Sequence, residues 1–87
     1  MKNSFKVFKI LGDETRMSIV VALFKHKELS CAQISQKFPK LSQPTISHHF
    51  KVLAEAEIID VGKVGTSCLY SLNLKTLRKN GVDLKSL

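Results

Sequence analysis

The sequence predicts a mainly α-helical domain with one small β-hairpin. Three observations carry that expectation. Apolar residues recur at helical spacing as far as residue 57, cap residues punctuate them, and the pattern then changes to strand-like alternation around glycines. At 87 residues the chain is expected to form one domain, 1–87, with a thin core, which packing against a second copy would supplement.

The first helix is expected over residues 4–11, with Ser4 as N-cap and Phe5, Phe8 and Leu11 at helical spacing. Gly12 would stop it by entering the left-handed conformation. Asp13 can cap ETRMSIVVALFKH, where Met17, Val20, Val21 and Phe24 follow the i, i+3, i+4, i+7 pattern and Ile19 and Leu23 widen the stripe. Ser30 opens SCAQISQKF, and Gln33 three residues on completes a capping box; Ile34 and Phe38 are its apolar positions before Pro39 ends it. Ser42 or Gln43 caps the next helix, to about residue 56, with Pro44 in the first turn and Ile46, Phe50 and Leu53 on one buried face.

Beyond Glu57 two short strands are expected, Ile58–Val61 and Ser67–Leu72, around GKVG, whose two glycines suit an antiparallel turn. Cys68, Tyr70 and Leu72 would face inward against Ser67, Leu69 and Ser71. Asn73 caps a last short helix, LKTLRK, closed by Gly81. Connections are short throughout.

Two helices joined by a tight turn form a helix-turn-helix, whose second member can enter a major groove, and the hairpin beside it makes the fold a winged helix-turn-helix. With Ile46, Phe50 and Leu53 assigned to the core, Thr45, Ser47, His48 and Lys51 project elsewhere, and Ser42 and Gln43 stand at the N-terminal tip. Short donors and acceptors near a helix N-terminus suit base edges and phosphates of double-stranded DNA. Gln43, Thr45, Ser47 and His48 are expected at or near bases, and Lys51 and the hairpin's Lys63 at phosphates. A merely solvated helix is the alternative.

Fourteen Lys and Arg against seven Asp and Glu give a net charge of +7, which suits a polyanion, although many small proteins are basic for solubility alone. Lys6 and Lys9 interrupt the apolar N-terminus, and no run has the length of a membrane helix, so a cytoplasmic protein with free thiols is expected. No nucleophile elbow, phosphate loop or acid pair is present, so neither an enzyme nor a cofactor or small-molecule substrate is expected. His48 and His49 are sequential and point apart on a helix, and four convergent metal ligands are absent. Cys31, near a helix N-terminus, is a candidate redox thiol without a resolving partner evident in the sequence, and Cys68 reads as a small core residue.

The segments LGDETR and LSQPTISHHFKVLAEAEII, with the hairpin ending LYSLN, resemble the ArsR-type winged helix-turn-helix transcriptional regulators over about residues 5–73. The resemblance implies a homodimer that represses transcription at a pseudo-palindromic operator, with the terminal helices at the interface. Phe5, Phe8, Leu11, Leu74 and Leu77 are then dimer candidates, with ordinary core packing as the other explanation. The metal-sensing members carry a Cys-x-Cys pair where this chain has Ser30 and Ala32 flanking Cys31. The C-terminal segment LKTLRKNGVDLKSL offers no His and only Asp83, so indifference to zinc, cadmium and arsenite is expected. Glu57 replaces a small residue common before the hairpin. Two alternatives remain: a protein-interaction module of the same fold, and a repressor responsive to oxidation at Cys31.

Overall fold

Four of the five helices begin where a short polar side chain closes the first turn. Asp13 Oδ1 accepts from the Arg16 amide at 2.9 Å, Ser42 Oγ from Thr45 at 3.3 Å and Asn73 Oδ1 from Thr76 at 3.0 Å. Ser30 and Gln33 form the reciprocal capping box, with Ser30 N–H donating to Gln33 Oε1 at 2.8 Å and Gln33 N–H to Ser30 Oγ at 3.2 Å. The computed structural model describes residues 2–86, with α1 Lys2–Leu11, α2 Glu14–His26, β1 Glu28–Ser30, α3 Cys31–Lys37, α4 Gln43–Glu55, β2 Ile59–Val64, β3 Ser67–Leu72 and α5 Leu74–Lys79. A 3₁₀ turn, Leu84–Ser86, follows. α1 starts at Lys2, so Ser4 lies inside the helix and is not its cap; the Ser4 side chain lies outside the described residues.

The sheet has three antiparallel strands in the order β1-β3-β2. β1 is a strand the apolar pattern did not announce: at three residues it is too short to show alternation. It pairs Glu28 with Ser71, Leu29 with Tyr70 and Ser30 with Leu69. The hairpin is also longer than expected, because β2 continues through Gly62 and Lys63 to Val64, paired with Ser67. Its turn is therefore Gly65–Thr66, not GKVG. Gly65 alone there has positive φ, +63°, which fits a two-residue turn with glycine at its first central position.

The core gathers Val7 and Ile10 of α1, Ile19, Val20 and Leu23 of α2, Ile34 of α3, Ile46, Phe50 and Leu53 of α4, and Leu29, Ile58, Ile59, Leu77 and Leu84. α1 buries Val7 and Ile10, leaving Phe5 and Phe8 outside. On α2 the buried stripe centres on Ile19, Val20 and Leu23, and the expected Met17, Val21 and Phe24 are half-buried at its flank. Leu53 is fully enclosed, and its truncation to Ala would cost about 2–5 kcal/mol, comparable to the whole stability of a small domain.

Two helix ends share one geometry. After α5, Val82 N–H donates to Leu77 O at 2.8 Å and Gly81 N–H to Arg78 O at 3.1 Å, with Gly81 at φ +80°. After α4, Ile58 N–H donates to Leu53 O at 3.0 Å and Glu57 N–H to Ala54 O at 3.0 Å, with Glu57 at φ +60°. Both are Schellman closures, which place one residue in the left-handed region. Glycine adopts that conformation without steric cost, whereas Glu57 does not. Gly12, by contrast, has no positive φ; it ends α1 by donating to Phe8 O at 3.0 Å, and the left-handed stop expected there is absent. Glu57→Gly should stabilise the domain by about 1 kcal/mol in urea unfolding, and Gly81→Ala should destabilise it by a similar amount. A loss of stability in Glu57→Gly would contradict the assignment of strain to that residue.

Candidate nucleic-acid interface

α3 and α4 are joined by a five-residue connection, Phe38–Ser42, in which Leu41 N–H donates to Phe38 O at 3.1 Å. Ile34 on one helix and Ile46, Phe50 and Leu53 on the other fix both against the core. The exposed residues of α4 then fall at Pro44, Ser47, His48, Lys51 and Glu55, a stripe at i, i+3, i+4, i+7 and i+11 opposite the buried one. Gln43 and Thr45 are exposed at its N-terminal end.

The side chains at that end are not equally free. Ser42 is the cap, and its hydroxyl also donates to Thr45 Oγ1 at 2.9 Å, leaving the Thr45 hydroxyl proton to be donated outward. Gln43 Nε2 donates to Ser35 Oγ at 2.6 Å, which ties the tip of α4 back to α3. Ser47 and Lys51 have no partner of their own among the described residues, so their polar atoms face solvent. His48 is likewise exposed, its ring 6.0 Å from that of His49 and tilted by 56°. Lys37 and Lys40 are exposed on either side of Pro39 and add charge near this tip; their position in a polar turn gave no periodic signal.

His49 performs a different task. It is half-buried, and its Nδ1 lies 3.5 Å from Arg16 Nη1. The same guanidinium donates through Nε to Ile10 O at 3.0 Å and stands 4.0 Å from Asp13 Oδ2. Arg16 thereby joins the end of α1, the start of α2 and the middle of α4, giving the LGDETR segment a physical role. The adjacency of His48 and His49 hid this division between an outward and an inward residue.

The hairpin of β2 and β3 stands out from the body: only Ile59 of β2 is buried. Lys63 is exposed on β2 opposite Cys68, before a tip formed by Gly65 and Thr66. Of the remaining expected residues, Phe5, Phe8 and Leu74 are exposed and Leu11 is half-buried. Leu77 is 1% exposed and belongs to the core of the single chain, in keeping with the core-packing explanation for that position. Grooves lined by Leu11, Met17 and Val21, and by Phe24, Leu72 and Leu74, continue the apolar surface from α1 across α2 to α5. Cys31 and Cys68 are both half-buried, Cys68 on β3 next to Leu69, the partner of Ser30. No group of three or more His, Cys, Asp or Glu gathers as a metal-ligand set among the described residues, and none of their helices is long and apolar enough to cross a membrane.

Residues 11–62 match the family model of a helix-turn-helix domain. The chain is 38% identical over 72 residues to the transcriptional repressor SdpR of Bacillus subtilis, a match covering 83% of this chain and 78% of that protein. It is 36% identical over 67 residues to an arsenical resistance operon repressor of Staphylococcus xylosus, covering 77% of this chain and 62% of the relative. Among solved structures it superposes on an ArsR-like transcriptional regulator from Rhodococcus sp. RHA1 with a TM-score of 0.79 at 26% identity, covering 91% of this chain and 73% of that one.

The Arg16 junction has a pH signature. The Arg16 amide bonded to Asp13, aided by its guanidinium, outweighs burial and holds the Asp13 carboxyl below its ordinary value of 3.8. A carboxylate depressed in the folded state stabilises above its unfolded pKa, and that contribution disappears as pH falls through the folded value. Asp13→Asn keeps a competent cap without the charge. Its stability deficit relative to the wild type should be constant near neutrality and shrink below about pH 4 in denaturant titrations. Parallel curves across that range would contradict the assignment.

Proposed function

Because the chain belongs to the ArsR-type family of winged helix-turn-helix transcriptional regulators, we propose that it is a homodimeric repressor that reads a pseudo-palindromic DNA operator through α4. The observation carrying this reading is the division of α4 into a buried face, Ile46, Phe50 and Leu53, and an exposed stripe of short polar tips ending at Lys51. A helix held this way can lie in a major groove with its N-terminal residues at base edges. Thr45, Ser47 and His48 are the base-directed residues. Ser42 and Gln43 hold the tip of α4 in shape, through the cap and the bond to Ser35, and Lys51 and Lys63 meet phosphates. The relatives named as repressors support repression as the outcome of binding.

Dimerisation is supported by apolar surface that a single chain leaves in water. Phe5 is 74% exposed, Phe8 54% and Leu74 45%, and Leu11 of α1 and Met17, Val21 and Phe24 of α2 are half-buried. Such a surface, on a chain with a thin core, suits a second copy, and a two-fold axis turns one reading helix into two. The metal-sensing thiol pair of the resembled family has no counterpart at Ser30 and Ala32, so repression without a metal sensor at α3 is part of this reading.

Titration of a duplex selected for binding from a random pool tests the proposal. Ser47→Ala and His48→Ala should each cost about 1–3 kcal/mol on that duplex and less on random DNA. Lys51→Ala should weaken binding to all sequences alike and lower the slope of log K against log salt by about one. A protein-interaction module would show little salt-dependent duplex binding, and that result would sink the reading. For assembly, sedimentation of the wild type at micromolar concentration should give a dimer, and Phe8→Asp should give a folded monomer. A monomeric wild type would refute the two-fold arrangement.

A further inference from the structure

Cys31 and Cys68 are 37 residues apart in sequence, yet the sheet brings them together. β1 pairs antiparallel with β3 through Leu29↔Tyr70 and Ser30↔Leu69, so Cys31 and Cys68 are the residues that flank the last pair of this ladder. β1 ends at Ser30, and Cys31 is the first residue of α3, which itself packs on β3. Residues directly opposed in an antiparallel pair, as Ser30 and Leu69 are, have Cα atoms about 4.5–5.5 Å apart, so the two cysteines that flank this pair start near the roughly 4.4–6.8 Å that a disulfide spans. Opposed side chains also share a sheet face, and residues two apart on a strand share it as well. Cys68 therefore lies on the face of Tyr70 and its partner Leu29, which is buried in the core, and Cys31 follows the end of β1 as the first residue of α3. Both thiols are free and half-buried. The Tyr70 phenol is pushed above its ordinary 10.0 by burial first, and then by Cys31 and Cys68, so both sulfurs lie within electrostatic reach of one side chain.

We propose that Cys31 and Cys68 are a peroxide-sensitive thiol pair whose conversion to an intrachain disulfide weakens DNA binding. The chemistry balances with hydrogen peroxide as oxidant. One thiolate attacks the peroxide oxygen and becomes a sulfenic acid, releasing water after proton transfer. The second thiol attacks that sulfur, forming the S–S bond and releasing a second water. Two thiols lose two electrons and two protons, and the peroxide is reduced to two molecules of water.

The route to α4 is short. Tyr70 follows Cys68 by two residues on the same face and stacks on Phe50 of α4, with ring centroids 4.2 Å apart and planes 17° from parallel. An S–S bond of about 2.05 Å ties the start of α3 covalently to β3 and turns two half-buried side chains toward each other. That tie acts on the strand that carries Tyr70 and on the first helix of the helix-turn-helix. Sequence alone gave Cys31 no resolving thiol, because the pairing depends on β1.

The effect on DNA rests on the proposed function; formation of the disulfide does not. The experiment treats the reduced full chain with hydrogen peroxide and reads intact mass, free thiols and affinity for the selected duplex. The expected product is a single chain lighter by two hydrogens with both thiols lost, binding about tenfold more weakly and restored by dithiothreitol. Cys31→Ser and Cys68→Ser should bind like the reduced wild type and form no intrachain bond. Cys68→Ala replaces the serine variant if circular dichroism shows that one unfolded. Independent oxidation of each sulfur to sulfinic acid, or bonds only between chains, would overturn the pairing. An intrachain disulfide with unchanged affinity would overturn the regulatory half. If the reduced protein fails to bind any duplex, the functional reading fails, while the mass result still decides the thiol pair.

Discussion

The contact of Phe50 with Tyr70 joins the helix proposed to meet DNA to the middle strand of the sheet. Offset aromatic pairs contribute about 0.5–1.5 kcal/mol beyond the area they bury, a substantial share in a domain this small. Position matters more than size. β3 is paired on both edges, with Tyr70 opposite Leu29 on one side and Val61 on the other. Phe50 sits between Ile46 and Leu53, so α4 is held along its whole inner face. The Arg16–His49 contact fixes the same helix from α2, and the Gln43–Ser35 bond fixes its tip. α4 is thereby held from three directions, and its outer face carries no structural duty. That freedom lets short polar residues occupy it.

Much of this was legible before any coordinates. The four caps at Asp13, Ser30, Ser42 and Asn73 stand where the sequence puts them, because a cap is a local property of residue type and spacing. The inner face of α4 was equally legible, since Ile46, Phe50 and Leu53 obey one period. What escaped was non-local or too short. β1 has three residues and is a strand only because β3 lies beside it. The turn at Gly65–Thr66 was misplaced because Gly62 offered an equally good local signal, and cross-strand register decided between them. The centre of the α2 stripe shifted because several neighbours compete for that apolar helix, and periodicity does not rank them. In the candidate site, the outward residues of α4 could be read from the period of their inward neighbours. The inward role of His49 required Arg16, 33 positions away.

The same non-local pairing connects the ends of the molecule to its centre. β1 places the first residue of α3 beside β3, and β3 continues through Asn73 into α5. Asn73 N–H donates to Ile58 O at 2.8 Å, so the terminal helix leaves from the point where α4 hands over to the hairpin. Apolar residues on that helix and on α1 remain outside the single-chain core, while Leu77 and Leu84 are drawn into it. One small sheet therefore links α4, the thiols and the apolar terminal surface.

The central claim is that α4 reads the major groove in two symmetrically placed copies. Dimethyl sulfate methylates guanine N7 in the major groove and adenine N3 in the minor groove, so protection of a selected duplex distinguishes the two. The account predicts guanine N7 protection in two patches about one helical turn apart on one face, with intervening adenines still reactive. A single protected patch, or protection confined to adenine N3, would contradict it.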